Sequence, residues 1–109
     1  MKYSIIICPK SNNSIAIDQA YQFIEAILQD ASLEQGHEIH VFFYGLAVKS
    51  AFQTSYDWRQ IAKQGVKLNA CSTIAESYQK KQLGPHFSIT GIGQWMESTL
   101  NTDKHIEFV

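Results

Sequence analysis

Short runs of apolar, mostly β-branched residues alternate along this chain with stretches whose apolar positions recur every three or four residues. Tyr3 to Cys8 is the first run, as expected of a strand buried on both faces. Asn13 or Ser14 then offers an N-cap, and Ile17, Ala20, Tyr21, Ile24, Ile27, Leu28 and Ala31 follow at helical spacing. Gly36 fits the position just past that helix. Glu38 to Phe43 reads as a second strand, closed by Tyr44-Gly45. Residues 46–54 are ambiguous and are compatible with a short helix. Ser55 can cap a helix that carries Trp58, Ile61 and Ala62 inward and ends at Gly65. Val66 to Asn69 is a short third strand. Thr73 and Glu76 have the spacing of a capping box, and Gly84-Pro85 breaks a polar loop from Lys80 to His86. Phe87-Ser88-Ile89 makes a fourth strand. Ile92, Trp95, Met96, Thr99 and Leu100 form a helical stripe, and His105 to Val109 ends as a strand.

Strands that alternate with helices predict an α/β architecture, a three-layer α/β/α domain around a mainly parallel sheet of about five strands. In such open sheets, ligands and chemistry gather beyond the carboxyl ends of the strands. That rule selects the loop after Cys8, the loop after Tyr44 and the segment containing Cys71. The middle of the chain is crowded with rings: Tyr44, Phe52, Tyr56 and Trp58. A small core has limited room for them, so part of this set is expected at a subunit interface.

Composition narrows the class. With 109 residues, 45% hydrophobic and 17% charged, the chain reads as one ordinary globular domain. A net charge of −1 argues against direct nucleic-acid binding. The N-terminal apolar run is too short for a signal peptide or a membrane span, which predicts a cytoplasmic protein. There Cys8 and Cys71 are expected as free thiols. Neither a CxxC spacing nor a Cys/His cluster is present, so no metal is expected.

Cys71 is the leading candidate for chemistry. It follows a strand and sits at a helix start, where unpaired N–H groups and the helix dipole stabilise a thiolate. On position alone, a reactive thiol and an inert cysteine packed under the helix remain equally open. Cys8, preceded by three isoleucines, reads as a small core residue. Other cysteine and phosphate motifs fit poorly. A low-molecular-weight phosphatase needs an arginine where Ser14 stands, and a rhodanese-type anion loop is replaced by Ser72-Thr73-Ile74-Ala75. A flavodoxin-like phosphate loop at Ser11-Asn12-Asn13-Ser14 lacks glycine. Gly91-Ile92-Gly93 resembles the start of a dinucleotide fingerprint, but Met96 holds the third glycine position. A tight strand-to-helix turn explains it better. Among the histidines 37, 40, 86 and 105, His86 is placed to reach the Cys71 side, with a solvated loop histidine as the alternative.

Three groups of segments resemble the DsrE/TusD proteins of the DsrE/DsrF family. The first runs from Gln19 to Leu28, then Gly36-His37-Glu38 and Val41 to Tyr44. The second is Gly65-Val66-Lys67-Leu68-Asn69-Ala70-Cys71, which is similar to the segment leading into that family's persulfide-carrying cysteine. The third is Phe87 to Gly93 with the ending Thr102 to Phe108. The resemblance implies one sulfurtransferase domain over residues 1–109, with Cys71 as the catalytic residue and no cofactor. It implies that sulfur travels as a Cys71 persulfide between donor and acceptor carrier proteins, toward 2-thiolation of the tRNA wobble uridine. The alternatives are a DsrE-type subunit of dissimilatory sulfur metabolism, a non-catalytic subunit, or a flavin- or nucleotide-binding module of the same fold. Homologous subunits in a homo- or hetero-oligomer are the expected further partners. The segment after the cysteine departs from the family: Ser72 to Lys81 is followed by a short loop, Gln82-Leu83-Gly84-Pro85-His86, which bears on partner specificity and assembly.

Overall fold

The structure is a computed structural model that describes residues 2–11, 15–29, 38–51, 58–76 and 86–109. Its centre is a five-stranded sheet in the order β4-β3-β2-β1-β5. The strands are β1 (Lys2–Ile7), β2 (Glu38–Phe43), β3 (Lys67–Cys71), β4 (Phe87–Thr90) and β5 (Lys104–Phe108). Every neighbouring pair is parallel. The helices are α1 (Ala16–Gln29), α2 (Trp58–Lys63), α3 (Ser72–Ala75) and α4 (Ile92–Thr99), with a 3-10 helix at Gly45–Ala51. The expected α/β class and strand number hold. The expected caps at Asn13, Ser14 and Ser55, the helix end at Gly36 and the loop from 80 to 85 lie outside the described residues.

Register decides which side chains share a face. Tyr3, Ile5 and Ile7 lie beside Ile39, Val41 and Phe43, and the last two lie beside Leu68 and Ala70. All eight are buried, so this face is a continuous apolar layer. Helices α1 and α2 cover it. Trp58 of α2 meets Phe43 edge-on at a ring distance of 5.0 Å and Tyr21 of α1 at 4.9 Å. Phe87 completes the cluster, 5.1 Å from Phe43. Such edge-to-face pairs suit the ring quadrupoles and add to the burial of area. Trp58 is therefore a core residue, 1% exposed, and not the subunit contact its sequence neighbourhood suggested. Phe52 and Tyr56 lie outside the described residues.

The opposite face is mixed. Ser4, His40, Asn69, Cys71, Ser88, Thr90, His105 and Glu107 share it with Ile6 and Phe42. Its apolar anchor is Phe42, stacked at 5.1 Å on Trp95 of α4 and at 6.0 Å on Tyr44. Trp95 is the only buried residue of α4. Ile92, Met96 and Leu100 of the expected stripe are exposed, Leu100 at 80%. Trp95 is therefore the one side chain that α4 buries in the core, and the rest of the expected stripe faces outward.

Helix ends follow local chemistry. Gly65, at φ +97°, ends the α2 turn, where its N–H reaches the Ala62 carbonyl at 3.0 Å. A left-handed backbone there disfavours any side chain. The capping box expected at Thr73 and Glu76 is not formed. Helix α3 starts at Ser72 with Cys71 itself as N-cap and no side-chain cap, two residues earlier than the pattern indicated.

The packing predicts an asymmetric response to truncation. Phe43→Ala is expected to cost about 3–5 kcal/mol of stability, because it empties a fully buried site between Trp58 and Phe87. Met96→Ala, on the exposed side of α4, is expected to change stability by less than about 0.5 kcal/mol. Urea unfolding followed by tryptophan fluorescence measures both.

Candidate functional site

Strand register places the two thiols at one level of the sheet. Ile7 pairs with Phe43 and Phe43 pairs with Ala70. Cys8, Tyr44 and Cys71 are each one residue further along, at the carboxyl edge. Cys71 in turn pairs with Thr90 of β4. Sequence reasoning also set both thiols at this edge of the sheet. It placed Cys71 just after its strand, whereas Cys71 is the strand's last residue and the N-cap of α3 together.

The two cysteines are free thiols, as expected, and the register gives the reason. They stand on β1 and β3 with β2 between them, so their backbones are about 9–10 Å apart at ordinary strand spacing. A disulfide needs Cα atoms closer than about 7 Å. Cys8 is half-buried. Its Sγ faces Gly45, where an added Cβ would sit 3.6 Å away. Gly45 has φ +61°, the left-handed conformation that turns the chain from β2 into the 3-10 helix. Cys71 is 1% exposed. Its sulfur belongs to the core, beneath the start of α3.

The surroundings of Cys71 are polar on one side. Asn69, two residues earlier on the same face, donates from Nδ2 to the Val41 carbonyl at 3.3 Å. Thr90, the strand partner of Cys71, donates from Oγ1 to Asn69 Oδ1 at 2.9 Å. This chain ties β2, β3 and the short edge strand β4 together next to the thiol. Residue-type reasoning passed over both residues; a lone Asn among Val66, Leu68 and Ala70 was the available signal, since Asn is disfavoured in strands. On the far side, Gly91 closes the strand-to-helix turn after β4. A Cβ there would meet Ser72 Oγ at 3.7 Å, and the Gly91 N–H donates to Gln94 Oε1 at 3.4 Å. Gly91 is thus the N-cap of α4, packed beside α3, while Ile92 and Gly93 already belong to the first turn of α4, and a Cβ at Gly93 would meet nothing within 4 Å.

His86 does not approach Cys71. It precedes β4, level with Lys67 at the other end of β3, because Phe87 pairs with Leu68. There it lines an open cleft with His40, Lys67, Asn69 and Ser88. At that same end of the sheet the His40 ring hydrogen-bonds the Glu38 carboxylate at 3.4 Å. That bond, followed by the Lys2 ammonium at 3.6 Å, holds the Glu38 carboxyl below its usual range. Among the described residues no cluster of three or more His, Cys, Asp or Glu could hold a metal ion, and no helix is long and apolar enough to cross a membrane.

Comparison with known proteins gives a consistent set of relatives. The model of the DsrE/DsrF-like family matches residues 1–108. Sulfurtransferase TusD of Yersinia pestis (strain Pestoides F) is 26% identical over 132 residues, covering 99% of this chain and 98% of that protein. The same figures hold for Sulfurtransferase TusD of Yersinia pseudotuberculosis serotype O:1b (strain IP 31758). Among solved structures, the ychN protein from E. coli superposes with a TM-score of 0.71 at 17% identity, over 99% of this chain and 100% of that one. MTH1491 from Methanobacterium thermoautotrophicum gives 0.71 at 16% identity, over 96% and 97%. At such identities these two speak for the fold.

Exposure orders the two thiols. In the folded protein, Cys8 is expected to react with iodoacetamide faster than Cys71, and denaturant is expected to bring the two rates together. Peptide mass spectrometry of timed samples measures this. Equal rates in the native state would mean that the Cys71 sulfur is not shielded.

Proposed function

The chain belongs to the DsrE/DsrF-like family, and we propose that it is a sulfur-relay protein in which Cys71 carries the sulfur. The observation that carries this reading is the position of Cys71. It ends a central strand of a wholly parallel sheet at the edge where this architecture gathers its chemistry. Matches to proteins named Sulfurtransferase TusD over nearly the whole chain support sulfur transfer as the task.

The chemistry needs two exchanges and no net redox change. The Cys71 thiolate attacks the outer sulfur of a donor persulfide, R–S–SH. A new S–S bond forms as the donor's own S–S bond breaks, leaving Cys71–S–SH and the donor thiolate. An acceptor thiolate then attacks the outer sulfur of Cys71–S–SH, takes it away as its own persulfide and returns the Cys71 thiolate. Each step runs through a sulfur–sulfur–sulfur line, so the donor's thiol must reach Cys71 directly. Since Cys71 is 1% exposed, this reading requires that docking of the carrier protein uncovers its sulfur. Gating by partner contact protects a persulfide from stray thiols between transfers.

The destination we propose is 2-thiolation of the tRNA wobble uridine in the cytoplasm, reached through an acceptor carrier protein and homologous subunits. That branch is the one implied by the resemblance to TusD proteins, and the relatives named Sulfurtransferase TusD support sulfur transfer as such.

A second reading assigns the sulfur to Cys8, favoured by its greater exposure. One experiment separates them. After incubation with a persulfide-loaded carrier protein, wild type and Cys8→Ser are expected to gain the mass of one sulfur atom, and Cys71→Ser none. Cys71→Ser should remain folded, at a cost of about 1 kcal/mol, which circular dichroism checks. A folded Cys71→Ser protein that still gains and passes on sulfur overturns the assignment.

A further inference from the structure

Strand β5 forms one border of the sheet, with β1 as its neighbour in the strand order. Its backbone direction can be read from two hydrogen bonds. The Cys8 N–H donates to the Phe108 carbonyl at 2.8 Å, and the Tyr44 N–H donates to the Ile7 carbonyl at 3.0 Å. Successive residues of a strand turn their backbone groups to opposite sides. With Ile7 beside Phe108, it follows that Lys104, Ile106 and Phe108 direct N–H and C=O toward β1. His105 and Glu107 direct theirs outward, so two donors and two acceptors line a border that no strand covers among the described residues.

We propose that this border pairs with β5 of a second copy of the chain, antiparallel and with a two-fold axis through Ile106. Three features of Lys104–Phe108 fit that arrangement. First, in the antiparallel pattern a hydrogen-bonded pair exchanges both of its bonds. With the axis at Ile106, His105 faces Glu107 of the partner subunit, and the reverse, so every outward N–H and C=O finds a partner. Second, the facing side chains are complementary: an imidazole meets a carboxylate twice. Within one chain His105 Nε2 already lies 3.6 Å from Glu107 Oε1, with the side chains 42% and 64% exposed. The ring is held in place from behind, where Nδ1 is 2.8 Å from the Oγ of Ser4, a residue that is fully buried. Third, the half-buried Ile106 meets Ile106 of the partner subunit at the close, non-hydrogen-bonded position.

The charges also select against the alternative. Parallel, in-register pairing would set Lys104 on Lys104, His105 on His105 and Glu107 on Glu107. Like charges directly opposite are destabilising. Charged side chains on an edge strand can equally serve to prevent all pairing. That outcome leaves the protein a monomer and is decided by the measurement below.

Analytical ultracentrifugation over a dilution series, combined with residue-resolved hydrogen exchange at both ends of the series, tests the proposal. The expected result is a dimer in which the His105 and Glu107 amides become protected on association, while the Ile106 amide is protected throughout. Glu107→Pro removes an outward N–H without touching a bond to β1, a position where an edge strand tolerates proline. It is expected to abolish the dimer with an unchanged circular dichroism spectrum. Glu107→Lys is expected to weaken association about tenfold, and His105→Glu/Glu107→Lys to restore it to within a few-fold. A wild type that stays monomeric at every concentration overturns the proposal. So does any oligomer whose His105 and Glu107 amides exchange as fast as in the diluted protein. Should Glu107→Pro fail to fold, the wild-type exchange data still decide.

Discussion

The last two residues of β2, Phe42 and Phe43, point to opposite sides of the sheet and are both completely buried. Much of the structure depends on that pair. Phe43 gathers Trp58, Phe87 and, through Trp58, Tyr21 on one side. Phe42 gathers Trp95 and Tyr44 on the other. A parallel sheet has to be covered on both faces, because its crossover helices land there. Here a two-residue sequence at the centre of the sheet supplies the anchor for each covering layer.

The two layers differ in strength, and the difference bears on the chemistry. The Phe43 side is apolar across β1, β2 and β3, and it is clamped by α1 and α2. The Phe42 side carries Asn69, Thr90 and Cys71 near the carboxyl edge and Ser4 and His105 near β5. Polar groups there are matched to each other rather than to an apolar cover: Thr90 to Asn69, Asn69 to Val41, His105 to Ser4. A layer held by one tryptophan and a few hydrogen bonds opens at less cost than a packed apolar one. A buried Cys71 beneath that layer is consistent with a thiol uncovered by a docked protein, and a β5 border that no other described strand covers with association through strands.

Much of this architecture was legible from residue order. The β-branched runs located all five strands, and the spacing of Ile17, Ala20, Ile24 and Ile27 located α1, because each pattern reports one element burying one stripe. Placing Cys71 at the carboxyl edge followed from alternation of strands and helices alone, and the family resemblance then singled it out among the residues there. Periodicity misjudged α4, where Met96 and Leu100 repeat at helical spacing yet face outward. A stripe shows that a helix could bury a face, and only the neighbouring surface decides whether it does. The capping box at Thr73 and Glu76 failed for a related reason: β3 runs on to Cys71 and delivers the chain directly into α3, so the helix begins before its best capping residue.

What the sequence determined by itself is the set of elements, their parallel pairing and the presence of two unpaired thiols at strand ends. Local periodicity and turn chemistry act over a few residues and carry that information. Tertiary structure decided how those elements meet. It set Trp58 against Phe43 in the core rather than at an interface. It sent His86 to the opposite end of β3 from Cys71, and linked Asn69 to Thr90 across 21 positions of sequence. It also gave Cys71 the deeper burial and Cys8 the shallower one. Those outcomes depend on strand order and register, which are fixed by the simultaneous burial of both faces of the sheet and have no signature in any one segment.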